Sequence, residues 1–292
     1  MKRLIFSLSF LFSTLSLTAQ SLPVGWEELT APDFTKAVSQ SEGVCIVPMG
    51  VIEKHGPHLP LGTDVYTARE LSRRAAEKEY CIVYPYYFTG QIFEAKHQPG
   101  TIAYSKELIY QMLEETCEEI ARNGLKKIIL VNSHGGNTTF LQYFCQTQLE
   151  KERDYVVYLY TPTVDQETQK KITSLRKSTT GGHADEVESS TMMVARPDLV
   201  KIETANDESG EDLNRLQLNN LYTGIWWYAK YPNHYAGESS GANPELGEVS
   251  LSQRANQIAE VIRTVKKDQT TLRLQNEFFK ESNLPLNTPH RP

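Results

Sequence analysis

The stretch Glu53-Lys54-His55-Gly56-Pro57-His58-Leu59-Pro60-Leu61-Gly62-Thr63-Asp64 puts two carboxylates and two imidazoles into a segment rich in glycine and proline. Such a segment makes neither a regular helix nor a central strand. It holds an irregular path while presenting groups that bind metals or move protons. Glu53 and His55 are two apart, so in extended chain their side chains point the same way. Asp64 arrives where a helical pattern starts, as a cap or as a ligand. His134 stands in Asn132-Ser133-His134-Gly135-Gly136-Asn137, whose glycines let backbone N–H groups approach a bound group closely. A third cluster, Gly181-Gly182-His183-Ala184-Asp185-Glu186-Val187-Glu188-Ser189-Ser190, adds another imidazole and three acids.

Imidazole with carboxylate suits zinc, manganese or iron, and one shared acid can hold two ions. Paired ions polarise a carbonyl and lower the pKa of a bound water towards ~7, while a nearby histidine such as His183 passes a proton to a leaving nitrogen. Taken singly, these residues have plainer uses. A lone histidine is usually a bystander, Asp64 a helix cap, Glu186 or Glu188 a solvated helix face. Their clustering in three glycine-containing loops, two of them at strand ends, favours a metal centre.

The elements that must position these loops alternate. Residues 44–48 (VCIVP) read as a buried strand, and the spacing of Asp64, Ala68, Leu71, Ala75 and Ala76 as a helix. Residues 81–84 are a second strand. Ile109, Met112, Leu113, Cys117 and Ile120 mark an amphipathic helix closed by Asn123-Gly124. The run 128–131 (IILV) suits a strand covered on both faces. A helix through Phe140, Leu141, Phe144 and Leu149 and a strand over 155–160 follow. Residues 201–244 read as long polar loops, 252–267 as a late helix, and the proline-rich end from 284 as frayed. This rhythm predicts an α/β fold with a mainly parallel sheet, in which loops leaving the carboxyl ends of the strands line the ligand crevice. The loops after the first and third strands then share one edge.

The 292-residue chain opens Met1-Lys2-Arg3, followed by an apolar run to Leu17 and the small-residue exit Thr18-Ala19-Gln20. That order is a secretory signal peptide, and the run is short of the ~20 residues a spanning helix needs. The domain expectation is therefore a signal over 1–20 and a single domain over 21–292, exported to the periplasm or secreted, with no stable membrane insertion. Net charge is −6, with no basic stripe to suggest a nucleic-acid partner. Cys45, Cys81, Cys117 and Cys145 form no Cys-x-x-Cys pair and sit in apolar runs. They read as buried free thiols, although export permits disulfides.

The opening stretch resembles the Glu-x-His-Gly-Pro-His-Leu-Pro-x-x-Thr-Asp signature of the creatininase (creatinine amidohydrolase) family. His97-Gln98-Pro99-Gly100-Thr101-Ile102 resembles its Pro-Gly-Thr segment, the 132–137 loop its Asn-Gly-His-Gly-Gly-Asn loop, and His183 to Ser190 its His-Ala-Gly-Glu-x-Glu-Thr-Ser block. The resemblance runs over 44–190, with a weaker echo at Asn243-Pro244-Glu245-Leu246-Gly247. It implies a three-layer α/β/α sandwich and a centre of two divalent metal ions, zinc ahead of manganese or iron. Glu53 and His134 would hold one metal and His55 the other. Asp64 would bridge them, Glu188 would complete the centre, and His183 would be the catalytic proton shuttle. A homo-oligomer, often a hexamer, is also implied.

The departures bear on the substrate. Members that open creatinine carry a glutamate where this chain has Gly136, and a tryptophan shortly before the shuttle histidine, where this chain reads Arg176-Lys177-Ser178-Thr179-Thr180. Both point away from creatinine. Asp185 replaces the usual glycine, and its acid is expected to perturb the shuttle. The expectation is a metal-dependent amidohydrolase that cleaves the C–N bond of a small or cyclic amide with a metal-activated hydroxide. The alternative is an exported binding protein that keeps the fold and catalyses nothing.

Overall fold

The computed structural model describes residues 22–289. The signal-peptide stretch lies outside the described residues. In chain order the elements are α1 (Ala31–Gln40), β1 (Val44–Met49), α2 (Thr63–Lys78), β2 (Ile82–Val83), α3 (Lys106–Arg122), β3 (Lys127–Asn132), α4 (Asn137–Thr147) and β4 (Val156–Leu159), then α5 (Gln166–Leu175), α6 (Glu186–Ala195), α7 (Trp226–Lys230), α8 (Pro244–Lys267) and α9 (Thr271–Ser282). Among the described residues the strands form one sheet in the order β2-β1-β3-β4, every pair parallel. Register pairs Val44 with Lys127 and Met49 with Asn132, so β1 and β3 end level with each other.

Alternating side chains of the central strands feed two cores. Cys45, Val47 and Met49 of β1 join Ile128 and Leu130 of β3 against Leu113, Cys117 and Ile120 of α3 and Leu141 and Phe144 of α4. Val44, Ile46, Ile129 and Val131 pack on the opposite face, against Leu71 and Ala75 of α2 and Leu251, Ile258 and Ile262 of α8. Helices therefore cover both faces of the sheet in a three-layer α/β/α sandwich, and the strands read as unbroken apolar runs for that reason. All four cysteines are free; Cys45, Cys81 and Cys117 are buried and Cys145 half-buried. Among the described residues no helix is long and apolar enough to cross a membrane.

The main strands and helices fall where the periodicity puts them, and four features differ. Helices α1, α5, α6 and α9 were not read from the sequence. Of these, α1, α5 and α9 lie partly exposed with at most one buried residue each, and the apolar residues of α6 do not keep to one face. Helix α8 begins at Pro244 rather than 252, because Asn243 accepts the Leu246 N–H at 3.0 Å as an N-cap and Pro244 fits the first turn. The second strand shrinks to the two residues that reach the ladder. Within the loop-rich 201–244 segment, the Trp226–Lys230 turn is helical.

Helix α8 crosses α6 at Gly247, where an added Cβ would stand 2.0 Å from the Ser190 carbonyl oxygen. Backbone cannot yield there as a flexible side chain does, so Gly247→Ala is expected to cost about 1–3 kcal/mol of stability by overpacking. Urea unfolding would reveal it as a lowered midpoint; an unchanged midpoint would mean that the two helices slide apart at no cost.

Candidate metal centre

The centre is assembled at the carboxyl edge of β1 and β3. After Met49 the chain passes against the first turn of α2. An added Cβ on Gly50 would lie 2.5 Å from Val65 N, so only glycine permits this approach. The loop then folds back, with Glu53 N–H donating to Leu61 O at 3.0 Å and Gly56 in a left-handed conformation at φ 58°. Glu53 and His55 end fully buried. Asp64 is the second residue of α2, whose N-cap Gly62 makes no side-chain cap. Its carboxylate is turned inward and spans two imidazoles. Oδ1 is 3.2 Å from His55 Nε2 and Oδ2 is 3.1 Å from His134 Nδ1. Glu53 Oε1 lies 2.8 Å from the same His134 nitrogen and 3.9 Å from His55 Nε2.

The loop after β3 is pinned by two asparagines. Asn132 accepts the His134 N–H at 3.2 Å, and Asn137 Nδ2 donates to Asn132 Oδ1 at 3.1 Å. His134 enters the site from there. Its Nε2 is 2.8 Å from the Gln91 carbonyl oxygen, His55 Nδ1 is 3.3 Å from the Glu53 carbonyl oxygen, and His183 Nε2 is 2.9 Å from that of Lys54. A carbonyl only accepts, so each of these ring nitrogens carries the proton. The opposite nitrogens of His55 and His134 face the Asp64 and Glu53 carboxylates. This is the outer-shell pattern that orients metal-binding imidazoles.

Two donor groups result, each with its donor atoms within 4.8 Å of one another: Glu53, Asp64 and His134, and Glu53, His55 and His183. Glu53 Oε1 and Asp64 Oδ2 are buried without a hydrogen bond of acceptable geometry. A cation between them fits what these oxygens lack. The electrostatics agree. Burial opposes charge on His55 and His134, yet Asp64 and Glu53 outweigh it; His55 is raised to about 9 and His134 well above its usual value. Burial likewise opposes ionisation of Glu53, but the His134 and His183 rings and the hydrogen bond from His234 hold its carboxyl well below the usual range. A field that draws protons onto buried imidazoles also favours divalent cations in their place.

His183 stacks near His55 with ring centroids 4.2 Å apart. Burial, reinforced by His55, lowers its pKa to about 3, so the ring is neutral. It stands where it can ligate as well as exchange a proton. Glu188 is outside both donor groups. Its Oε2 accepts the Ala184 N–H at 2.6 Å, and burial raises its carboxyl to about 7 despite the opposing charge of His55. Asp185 caps α6 by accepting the Val187 and Glu188 N–H groups. The charge it exerts falls on Glu188, where it adds to the raised pKa. Glu186 accepts from the Lys177 and Ser178 backbone and anchors that loop. His58 points away, 2.7 Å from the Ser189 hydroxyl, and ties the loop to α6.

Two residues escaped the sequence reading. His234, buried at φ 53°, sets Nε2 on Glu53 Oε2, while its Nδ1 accepts the Trp227 indole N–H at 2.9 Å. An indole only donates, so the proton of His234 sits on Nε2 and is given to Glu53. The sequence signal was only an isolated histidine and a Trp pair in a polar segment. Trp227 also meets His183 edge-on at 5.9 Å. The segment before His183 lacks an aromatic, but the folded site does not: α7 supplies it.

The curated relatives match this chain over about half of their own length or less. A creatinine amidohydrolase of Pseudomonas putida is 28% identical over 39% of this chain and 46% of that protein. A mycofactocin precursor peptide peptidase of Mycolicibacterium smegmatis is 32% identical over 33% and 41%. A crystal structure of creatininase is similar at a TM-score of 0.72 and 22% identity, covering 85% of this chain and all of that one. A zinc–zinc form of a mutant creatininase and a manganese form of creatininase are similar at TM-scores of 0.71 and 0.70 and identities of 21% and 20%, each covering 85% of this chain and all of that one. At these identities the structures establish the fold, the α/β/α sandwich described above. The family model for creatininase, creatinine amidohydrolase, matches residues 27–262, and this chain belongs to the creatininase family.

Proposed function

We propose that this protein is an exported, metal-dependent amidohydrolase that cleaves the C–N bond of a small or cyclic amide other than creatinine. The observation that carries the reading is Asp64, one carboxylate shared between two imidazoles whose far nitrogens are fixed by backbone carbonyls. Glu53, Asp64 and His134 would hold one divalent ion, and His55 with Asp64 a second. Zinc or manganese suits this oxygen–nitrogen donor set, as in the solved creatininases. Bound there, such ions polarise an amide carbonyl and make water acidic enough to attack near neutral pH.

The chain's own residues do the rest. Asp64 and Glu53 set the negative field, and the Trp227–His234 pair fixes the direction of the Glu53 carboxylate. Nδ1 of His183 is the free nitrogen of a neutral ring, because Nε2–H is committed to Lys54 O. It is therefore the atom that takes up and returns a proton as the amide nitrogen departs. Glu188, raised to about 7 by burial, is a further group able to hold a proton. The creatinine amidohydrolase and the peptide peptidase among the relatives suggest amide-type substrates differing in what flanks the bond. Gly136, lacking the carboxylate associated with creatinine opening, supports the exclusion of creatinine. Export rests on the Met1–Gln20 stretch, and a homo-oligomer on the family resemblance.

Three outcomes are expected. Asp64→Asn should strip metal from the purified protein by elemental analysis, and full occupancy would remove Asp64 from the bridging position. His183→Ala should keep its metal and lose turnover on amides by ~10²–10⁴-fold. An undiminished rate would take His183 out of proton transfer. Trp227→Phe and His234→Ala should weaken metal affinity by about 10–100-fold, the usual effect of losing an outer-shell partner. Chelator competition measures this, and wild-type affinity in both variants would show that Glu53 needs no orientation.

A further inference from the structure

We infer that the cavity on the Nε2 side of His134 is a subsite for an organic cation, an ammonium or guanidinium group carried by the substrate away from its scissile bond. The cavity holds about 660 Å³, enough for a small-molecule group. Its floor is Gly135-Gly136, its walls include Phe93 and Trp226, and its polar end is Gln91 and Glu94.

The polar end consists of acceptors. Gln91 Nε2 donates to Glu94 Oε2 at 2.8 Å, which fixes the amide orientation and leaves Gln91 Oε1 as the free atom. That oxygen is buried and has no donor. Glu94 Oε1 lies beside it: a Cβ on Gly136 would stand 2.8 Å from Gln91 Oε1, 2.9 Å from Glu94 Oε1 and 2.5 Å from His134 Nε2. Glycine at 136 thus leaves room for two oxygens to converge one imidazole away from the metal-binding face of the ring. No ion pair reaches Glu94 among the described residues.

Two converging acceptors, one of them charged, call for a ligand with several N–H donors and a positive charge. Aromatic walls reinforce that preference through their ring faces. The Tyr228 ring already carries Arg215 at 4.9 Å and His97 edge-on at 4.8 Å, so the available rings are Phe93, Tyr222 and Trp226. The basic residues lining the cavity are Lys96 and His97, while Arg215, over the Tyr228 ring, is held by the Tyr228 and Ala229 carbonyls. Lys96 is exposed, and His97 Nε2 is 2.8 Å from Pro232 O, so neither neutralises the inner end. Trp226 contacts Trp227 at 5.3 Å, which links the cavity to the ring beside His183.

Placing the cation on a substrate rests on the amidohydrolase reading, whereas the cavity's preference does not, and binding separates the two. Benzylammonium, its neutral counterpart benzyl alcohol and the anion benzoate would be titrated against the full chain by calorimetry and tryptophan fluorescence, with metal present and after chelation. Benzylammonium is expected to bind one to one in both states and at least 10-fold tighter than the other two. Glu94→Gln, nearly isosteric and checked by its melting curve, should lose about 10-fold in that affinity, while Trp226→Ala should lose the fluorescence response. Cation binding without hydrolysis of any amide would sink the enzymatic reading and keep this one. Equal affinity for the three probes, wild-type affinity in folded Glu94→Gln, or self-association abolished by Trp226→Ala would overturn the subsite.

Discussion

The structure turns on the burial of two carboxylates, Glu53 and Asp64, within a few ångströms of three imidazoles. Charge taken out of water at this depth is unfavourable unless it is matched closely and its lone pairs are engaged. Here the matching is nearly complete. Asp64 faces one imidazole with each oxygen, Glu53 is shared between His134 and His234, and every ring is held from behind. Two acceptor oxygens at the middle, Glu53 Oε1 and Asp64 Oδ2, face the one His134 nitrogen and accept no hydrogen bond. A cation completes such a centre in a way no further side chain does.

This demand explains much of the surrounding architecture. Level ends on β1 and β3 bring the 50–62 and 133–136 loops to one edge, and the first turn of α2 delivers Asp64 between them. The third contribution comes from the start of α6, held by the close crossing of α8 at Gly247 and by the Asp185 cap. Glycine recurs at these contacts for a packing reason. At 50 and 247 the backbones approach too closely for a methyl group, and at 136 the room is taken by Gln91 and Glu94.

The late polar segment contributes more to the site than its composition suggests. It brings His234 onto Glu53 and Trp227 onto both His234 and His183, so part of the outer layer of the centre comes from a region with no regular periodicity. An aromatic missing just before His183 is thereby replaced from more than forty positions downstream (Trp227), on a different element. Resemblance by motif is local in sequence; the covering of a reactive centre is local only in space.

Sequence alone determined the strand–helix alternation, the buried character of β1 and β3, the shared edge of their loops, and Glu53, His55, Asp64, His134 and His183 as a set. These were legible because apolar periodicity and glycine-rich loops are local consequences of covering a parallel sheet on both faces. Sequence did not reveal α1, α5 or α9, which bury at most one residue each, nor α6, whose apolar residues do not keep to one face, nor the start of α8, which depends on one cap. Tertiary structure alone decided that Asp64 turns inward rather than capping α2, that Glu188 commits an oxygen to Ala184, and that His234 and Trp227 join the centre. The direction of a side chain and the proton on a ring nitrogen are set by which carbonyl or indole lies opposite, and those neighbours come together only in the folded chain.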